Sequence, residues 1–365
     1  MYPIFQHAKR LPSLIREGVL YHLGGTLFTA KPRMIQFPVT DRCNARCIMC
    51  NRWQKNGQNE MSIDKIREVF SNGLFAQVED VSLHGGEPTL RRDLAEIVKI
   101  MQQNCPKLNH LWISTNGFGT KRVKKRIEEI INVINFDGVQ KLDVNVSIDG
   151  IGDCHDKIRG IKGGFDQSVK TIEMITDLSQ SYPIQVTIGS VIQPLNIHQI
   201  DQLEELAEKL SVPINFQPLM FDKFFNILGD QQLRFSENQV KKFKEIIQTK
   251  LGSGLTTTNF YWCRFLSMME GSERRMPCAF DRYVFSLYPT GEVLPCSRED
   301  WIVFGNVHEE PVGKIWFGQR AKMVRNKMKK ETCPTCSFYC GVEFSLQKEF
   351  FAYLGFFLKK SLSKN

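Results

Sequence analysis

The sequence predicts an α/β fold, a partial (β/α)6 barrel of the TIM-like kind followed by a small C-terminal cysteine-rich domain. From Met34 onward, strand-like segments alternate with helix-like segments, which is typical of a parallel sheet covered by helices. Six such units fall short of the eight that close a barrel, so an open or partial barrel fits better. A second group of cysteines begins only after Pro277, which indicates a separate unit.

The elements follow from local patterns. Runs of apolar or alternating residues predict strands at 34–40, 80–84, 110–114, 142–148, 184–192 and 212–219. Helical spacing predicts helices at 63–75, 94–103, 121–134, 165–179, 197–210, 235–251 and 346–360. We therefore divide the chain into an N-terminal extension, an α/β core, a helical linker, a cysteine-rich domain and an aromatic, basic tail, at 1–33, 34–222, 223–276, 277–345 and 346–365.

Composition narrows the class of protein. The 42% hydrophobic and 24% charged fractions are ordinary for a folded chain. The net charge of +9 comes partly from basic groups at 121–126 and 320–330. These groups are either solvated helix faces or sites that attract a phosphate-bearing substrate or an anionic membrane. No motif points to nucleic acid.

Eleven cysteines are many for a chain of 365 residues. No stretch reads as a secretory signal or approaches the ~20 apolar residues of a membrane span. We therefore expect a cytoplasmic protein whose grouped thiols are metal ligands rather than disulfides.

The most informative segment follows the first strand, where Cys43, Cys47 and Cys50 have the spacing C-x3-C-x2-C. Three thiolates on one loop can hold three corners of an iron–sulfur cube and leave the fourth iron open to a small molecule. A zinc site is the alternative, but zinc usually takes four ligands, and no fourth Cys or His lies near in sequence.

This loop resembles the signature of the radical SAM superfamily. The resemblance implies a [4Fe–4S] cluster that binds S-adenosylmethionine (SAM), whose reductive cleavage gives a 5′-deoxyadenosyl radical that abstracts hydrogen from a substrate. It also implies SAM-contacting residues at the ends of later strands, where glycines permit close backbone approach. These residues are Gly85, Gly86 and Glu87 in the GGE motif, Asn116, Ser147, Asp149 and Val191. Catalytic side chains beyond these are not identified by the resemblance.

The C-terminal unit resembles the auxiliary-cluster domains called SPASM, or twitch in their shortened form. Its cysteines are Cys278, Cys296, Cys333, Cys336 and Cys340. The final cysteine of the full SPASM pattern is missing, so we expect one auxiliary [4Fe–4S] cluster, with a structural zinc ion as the alternative. Cys105, Cys154 and Cys263 are interpreted as small buried hydrophobes, any of which could instead donate a hydrogen atom to a substrate radical.

The expected function is radical chemistry on a small molecule, such as a sugar or phosphate-linked carbohydrate, by oxidation or epimerisation. The alternative is a SPASM-type peptide or protein maturase. Only 42 residues precede Cys43, which we take as too few for an added leader-peptide-binding domain. A non-catalytic metal protein has no need for these motifs at successive strand ends. The expected electron donor is a flavodoxin or ferredoxin, and the aromatic tail either packs in a core or touches a membrane.

Overall fold

A nine-stranded sheet dominates the structure, a computed structural model that describes residues 30–219, 231–254, 256–273, 278, 280, 283–296, 302–336 and 350–362. Within these residues the strands are β1 Met34–Thr40, β2 Asp80–Gly85, β3 His110–Thr115, β4 Lys141–Ser147, β5 Ile184–Ile192, β6 Ile214–Pro218, β7 Val284–Leu287, β8 Glu292–Leu294 and β9 Gly305–Asn306. Strands β1 to β7 pair in parallel, which confirms the predicted α/β class.

The helices alternate with the strands as predicted. They are α1 Ile63–Phe70, α2 Leu94–Asn104, α3 Thr120–Ile131, α4 Asp153–Arg159, α5 Gly164–Ser179, α6 Ile200–Lys209, α7 Glu237–Ile246, α8 Thr257–Met269, α9 Val312–Phe317, α10 Gln319–Glu331 and α11 Phe350–Leu362. The predicted helix over 63–75 ends at Phe70, and a 3-10 turn, Gly73–Gln77, follows because Asn72 accepts a hydrogen bond from Leu74 N. The short helix α4 was not predicted.

The two faces of the sheet differ in polarity. Val81, Leu83, Leu111 and Ile113 are fully buried, as residues under covering helices are. The alternate residues form the inner face, which is polar and half-buried. They include Ser82, His84, Trp112, Ser114, Asn145 and Ser147. The carboxyl ends of these strands carry the loops of the candidate site.

A strand from the predicted cysteine-rich region extends the barrel sheet. Strand β7 pairs in parallel with β1, Ile35 opposite Phe285, and β8 returns antiparallel through a turn in which Gly291 N donates to Tyr288 O. Phe285 is fully buried, with its ring 5.1 Å from that of Phe75. Gly291, with φ of +93°, closes the turn in a backbone conformation that glycine adopts without strain.

The chain divides into two compact units, one of residues 31–236 and 284–324, the other of residues 1–30, 237–283 and 325–365. In the second unit Phe243 and Trp262 pack with ring centroids 5.9 Å apart. Helix α8, which was not predicted, begins with a capping box in which Thr256 and Asn259 each accept from the other's backbone N–H.

The tail helix α11 packs one face against α8 and exposes another. The Phe260 ring lies 5.6 Å from Tyr353 and 5.3 Å from Phe356. Phe351 and Leu358 are 67% and 52% exposed. Part of the tail therefore packs in a core. In the residues that the structure describes, no helix combines the length and apolar character needed to cross a membrane.

Candidate active site

The cysteine loop after β1 is held against the end of α4. Arg46 N donates to Arg159 O at 2.9 Å and Ile48 N donates to Ile158 O at 3.0 Å. Gly160 has a φ of +67°, and a Cβ there would lie 2.6 Å from Arg46 O. Glycine is therefore required for this backbone pairing, which fixes the middle of the C-x3-C-x2-C loop.

The three thiols lie in one cluster of apolar side chains, and two of them, Cys43 and Cys47, receive hydrogen bonds from N–H groups. Cys47 is buried, and Cys43 and Cys50 are half-buried. Ala45 N lies 3.4 Å from Cys43 Sγ, Asn116 Nδ2 4.0 Å from the same sulfur, and Arg159 Nη1 3.8 Å from Cys47 Sγ. N–H donors aimed at sulfur favour the thiolate, the form that binds metal.

Burial acts against that charge. It raises the pKa of the Cys43 thiol and raises the pKa of the Cys47 thiol to about 11, while the Arg159 guanidinium works to lower both. Among the described residues no three Cys, His, Asp or Glu side chains converge on a single metal ion. Zinc usually takes four ligands, whereas three thiolates on one loop match an iron–sulfur cube, in which each thiolate binds a different iron.

The glycines of the GGE motif serve close packing within the chain. A Cβ on Gly85 would lie 2.3 Å from Thr40 O, and a Cβ on Gly86 would lie 2.2 Å from Arg42 O. Gly86 N and Glu87 N donate to those two carbonyl oxygens, each at 2.8 Å. The end of β2 is thereby attached to the start of the cysteine loop, a role in addition to the predicted contact with SAM.

Glu87 is fully buried and joins the ends of β2 and β3. Its Oε1 accepts from Thr89 N, Thr89 Oγ1 and Thr115 Oγ1 at 3.1, 2.7 and 2.8 Å, and its Oε2 accepts from Asn116 N at 2.8 Å. Asn116 in turn donates to Asn44 Oδ1 at 2.8 Å. The Glu87 carboxylate, which was predicted to contact SAM, is thus occupied by the protein's own donors.

Asp149 joins the end of β4 to the end of β5. Its Oδ1 accepts from Val191 N at 2.8 Å, and its Oδ2 lies 2.7 Å from Arg159 Nη2. Burial raises the pKa of Asp149, and Arg159 opposes that rise. For Arg159, burial favours a lower pKa, but Asp149 and Cys47 outweigh it and the net shift is upward. The geometry of Asp149 and Arg159 is that of a charged pair. Asp149 and Val191, which were both predicted to contact SAM, thus have partners within the chain.

Four residues of this site escaped the sequence analysis. Arg159 and Asn196 complete the contacts of Asp149, with Asn196 Nδ2 donating to Asp149 O at 2.7 Å. His155 Nδ1 accepts from Asp149 N at 3.1 Å, and burial lowers the pKa of His155 to about 3. Gln193 is fully buried just after β5, and within the part of the chain that the structure describes neither its Nε2 nor its Oε1 has a hydrogen-bond partner. For His155 and Arg159 the sequence did hold a signal: the pairs His155-Asp156 and Arg159-Gly160 follow closely after strand β4.

The donor set fits a cluster and SAM. Three thiols on one loop match a three-cysteine cluster site. The Gln193 amide is a buried donor and acceptor pair that a ligand such as adenine would satisfy. Ser147 ends β4 on the half-buried inner face. When bound, the cluster and SAM would supply an organic radical that removes a hydrogen atom from substrate, while the strand ends hold the cysteine loop in place.

Four of the five predicted auxiliary cysteines lie within the residues that the structure describes. Cys333 and Cys336 share a 3-10 turn in which Cys336 N donates to Cys333 O at 3.2 Å. Cys296 follows β8, and both Cys296 and Cys278 are half-buried. Cys340 lies outside the described residues. The number of auxiliary clusters and their ligands stay a prediction.

The other cysteines differ in burial. Cys105 is 1% exposed, and burial raises its pKa to about 12, as in an inert core thiol. Cys154 donates to Leu195 O at 3.4 Å and Cys263 to Gly252 O at 3.5 Å. Both are half-buried, so the interpretation as core residues fits Cys105 better than these two.

An open α/β barrel with three thiols on the loop after its first strand defines a class of iron–sulfur enzymes. A family model described as the radical SAM superfamily matches residues 37–207, and one described as an iron–sulfur cluster-binding SPASM domain matches residues 278–341. The chain is a radical SAM enzyme with a C-terminal SPASM domain. Its radical SAM domain uses SAM and a [4Fe–4S] cluster, and its SPASM domain binds auxiliary iron–sulfur.

Several characterised proteins are similar over most of the chain. The sporulation killing factor maturation protein SkfB of Bacillus subtilis is 24% identical over 87% of this chain and 73% of its own length. The mycofactocin maturase MftC of Mycolicibacterium smegmatis is 24% identical over 85% and 76%. The Fe-coproporphyrin III synthase of Methanosarcina barkeri is 24% identical over 78% and 74%.

A solved structure supports the fold independently. Streptococcus suis SuiB, bound to its precursor peptide SuiA, superposes with a TM-score of 0.61 and 14% sequence identity, covering 93% of this chain and 76% of SuiB. At this identity the likeness concerns the fold alone. It confirms the predicted barrel with its C-terminal extension.

Proposed function

We propose that the chain is a peptide-modifying radical SAM maturase. The observation that carries this proposal is the similarity, across both domains, to SkfB and MftC, which cover 87% and 85% of this chain. The sugar substrate expected from the sequence gives way to a peptide, because these relatives are maturation enzymes by name.

The inner face of the barrel supports a peptide over a phosphate-linked sugar. Among the described strands β1 to β7, Lys141 is the only lysine or arginine on that face, and its Nζ lies 2.8 Å from Asp143 Oδ2. The face offers hydroxyl and amide groups at Ser114, Asn145 and Ser147. Such groups can hydrogen-bond peptide N–H and C=O groups, whereas the strongest side-chain contacts to a phosphate come from Arg and Lys.

The basic groups of the sequence lie on helices instead. On α3, Lys121, Lys124 and Lys125 are exposed while Val123 and Ile127 are fully buried. Lys124 Nζ lies 3.8 Å from Glu128 Oε1 within the same helix. These lysines therefore form a solvated helix face, and they do not supply a phosphate site in the barrel.

Within this proposal the chain's own residues hold the reactants in place. Glu87 and Asp149 fix the ends of β2 to β5, which leaves Ser147 and Gln193, together with the backbone of Gly85 and Gly86, as the proposed contacts to SAM. Arg159 holds the cysteine loop beside these strand ends. The substrate peptide would lie along the inner face of the sheet.

The test is product analysis with anaerobically reconstituted, reduced enzyme. We expect SAM cleavage to 5′-deoxyadenosine, together with a mass change in a short peptide encoded beside the enzyme's gene, located by tandem mass spectrometry. The Cys43→Ala variant should show neither event, and Cys105→Ala should show both. The relation to Fe-coproporphyrin III synthase makes coproporphyrin the second substrate to test. Turnover of a porphyrin or a sugar, with every peptide unchanged, would reject the maturase proposal.

A further inference from the structure

The outward side of the cysteine loop carries a set of exposed cations. Arg42, Arg46 and Lys55 are exposed, and the side chain of Arg42 is 51% exposed. Along the same segment of the chain come Ile48, which is 36% exposed, and the half-buried Trp53, whose ring contacts Arg46. We call these five residues the loop face. It combines three exposed cations with two apolar side chains.

The acidic side chains of the same segment are buried or nearly buried. Asp41 is buried and ion-paired with buried Arg52. Glu60 has a side chain only 10% exposed, and its Oε1 accepts from Thr40 Oγ1 at 2.7 Å and from Asp41 N at 2.8 Å. Its other oxygen lies 3.7 Å from Arg42 Nη2, an ion pair that offsets part of the charge of Arg42. From residue 41 to residue 60, the exposed charge is therefore entirely positive.

The loop face is bonded directly to two of the cluster-binding residues. Arg46 Nη1 donates to Cys43 O at 3.2 Å and to Ala45 O at 2.7 Å. Trp53 Nε1 donates to Cys47 O at 3.4 Å, and the Arg46 guanidinium lies 5.2 Å from the Trp53 ring centroid. A molecule resting on Arg46 and Trp53 would thus be separated from the thiolates by one hydrogen bond and one residue.

We propose that the loop face is the docking surface for the enzyme's electron donor, a small protein with an acidic surface and a low-potential one-electron centre. One electron leaves the reduced carrier, which is oxidised by one electron, and arrives at the cluster held by Cys43, Cys47 and Cys50, which is reduced by one electron. No covalent bond forms and no proton moves.

The physical character of the loop face matches such a partner. Electron-transfer encounters are brief and use small interfaces, so a few residues suffice. Opposite charges accelerate the encounter and have less effect on how long the complex lasts. The exposed cations of the loop face therefore give fast association with an acidic carrier, and they predict a rate that falls as salt screens the charges.

This inference rests on the radical SAM chemistry and not on the peptide substrate. The experiment therefore uses SAM without peptide and measures the reduction of the cluster itself. Stopped-flow absorbance follows the loss of the oxidised cluster after mixing with reduced flavodoxin, or with reduced methyl viologen, a small cation that needs no docking surface. The variants are Arg46→Glu and Lys55→Glu. The matched control is Lys125→Glu on helix α3, an exposed lysine elsewhere in the same compact unit.

We expect the second-order rate constant with flavodoxin to fall about tenfold in each loop-face variant at low salt. With methyl viologen the rate should stay equal or rise, and iron content should match that of the unaltered enzyme. Lys125→Glu should change neither rate. Should Arg46→Glu lose iron, Lys55→Glu decides, because its amine lies against Tyr288 rather than the cysteine loop. Equal flavodoxin rate constants for Lys55→Glu and the unaltered enzyme would overturn the proposal. Weaker binding of an acidic peptide by that variant would not rescue it, because the proposed partner is the electron donor.

Discussion

The two ends of strands β2 to β4 both hold buried ionic groups, but the partners of those groups differ. At the carboxyl ends, Arg159 connects Asp149 to the cysteine loop through Cys47. At the amino ends, His110 lies between two carboxylates, 2.8 Å from Asp80 Oδ1 and 2.6 Å from Asp143 Oδ2.

The first group joins loops to each other, whereas the second joins residues of adjacent strands. Asp80 stands opposite His110 in the register, and Asp143 stands opposite Trp112. In barrels of this kind the chemistry lies at the carboxyl ends, and the amino ends contribute to stability. The same interaction type should therefore affect catalysis at one end of the sheet and folding alone at the other.

The largest effect is expected at Arg159. Arg159→Met keeps the aliphatic part but removes the guanidinium that links Asp149 to Cys47. Partners of metal ligands typically contribute 10–100-fold to affinity or activity, so SAM cleavage should fall by about that factor. Loss of a cation beside the thiolates should also lower the reduction potential of the cluster, which a redox titration measures by electron paramagnetic resonance.

The matched control is Arg126→Met. Both arginine side chains are 11% exposed and ion-paired, but Arg126 pairs with Glu129 on helix α3. Its loss should leave the potential unchanged. Because Arg159→Met leaves Asp149 buried without its cation, the double variant Arg159→Met with Asp149→Asn separates misfolding from lost positioning. A normal potential in the single variant Arg159→Met, with an iron content equal to that of the unaltered enzyme, would show that Arg159 has no influence on the cluster.

A smaller effect, on stability alone, is expected at His110. In His110→Gln a single amide replaces the ring that bridges two carboxylates, and Asp143 is fully buried. The lost hydrogen bond to a charged group should reduce the free energy of unfolding by about 2 kcal/mol. Thermal unfolding followed by circular dichroism measures the loss. The rate of SAM cleavage by the folded variant should equal that of the unaltered enzyme, and a tenfold lower rate would contradict the division between the two ends.

Much of the fold could be predicted because its signals are local. Strands β1 and β5 have the predicted bounds, and the other predicted strands differ by one or two residues at their ends. The parallel pairing of β7 with β1 could not be predicted, because it joins a four-residue strand to a partner some 250 positions away. Helix α4 was missed because seven residues carry too little periodicity.

The candidate site divides in the same way. Spacing alone identified the thiols of the cysteine loop, since their chemistry depends on residue type and separation. The contacts of Glu87 could not be predicted from the motif, because its partners Thr115 and Asn116 come from the next strand. Gln193 carries no sequence signal, and only its burial without a partner distinguishes it from any other glutamine.

The smallest effect separates the two ends by the sign of a pH dependence. His155, at the carboxyl ends, is fully buried, and burial lowers its pKa from 6.5 to about 3. Because the unfolded chain binds a proton near pH 6.5 and the folded chain does not, stability falls as the pH drops below that value. One pH unit below the unfolded pKa, the free energy of unfolding is about 1.4 kcal/mol lower than at high pH. In His155→Gln this part of the acid sensitivity should disappear from the unfolding midpoints measured across that range.

His110 should behave in the opposite way. Burial works to lower its pKa, but the Asp143 and Asp80 carboxylates outweigh burial and the pKa of His110 is raised. Its contribution is therefore complete below the unfolded pKa and is lost as the pH rises through the folded one. Exposed His198, changed to Gln, serves as the control for the effect of the substitution itself. If the His110→Gln and His155→Gln variants changed the pH dependence in the same direction, the contrast between a charged imidazole at one end and a neutral one at the other would be wrong.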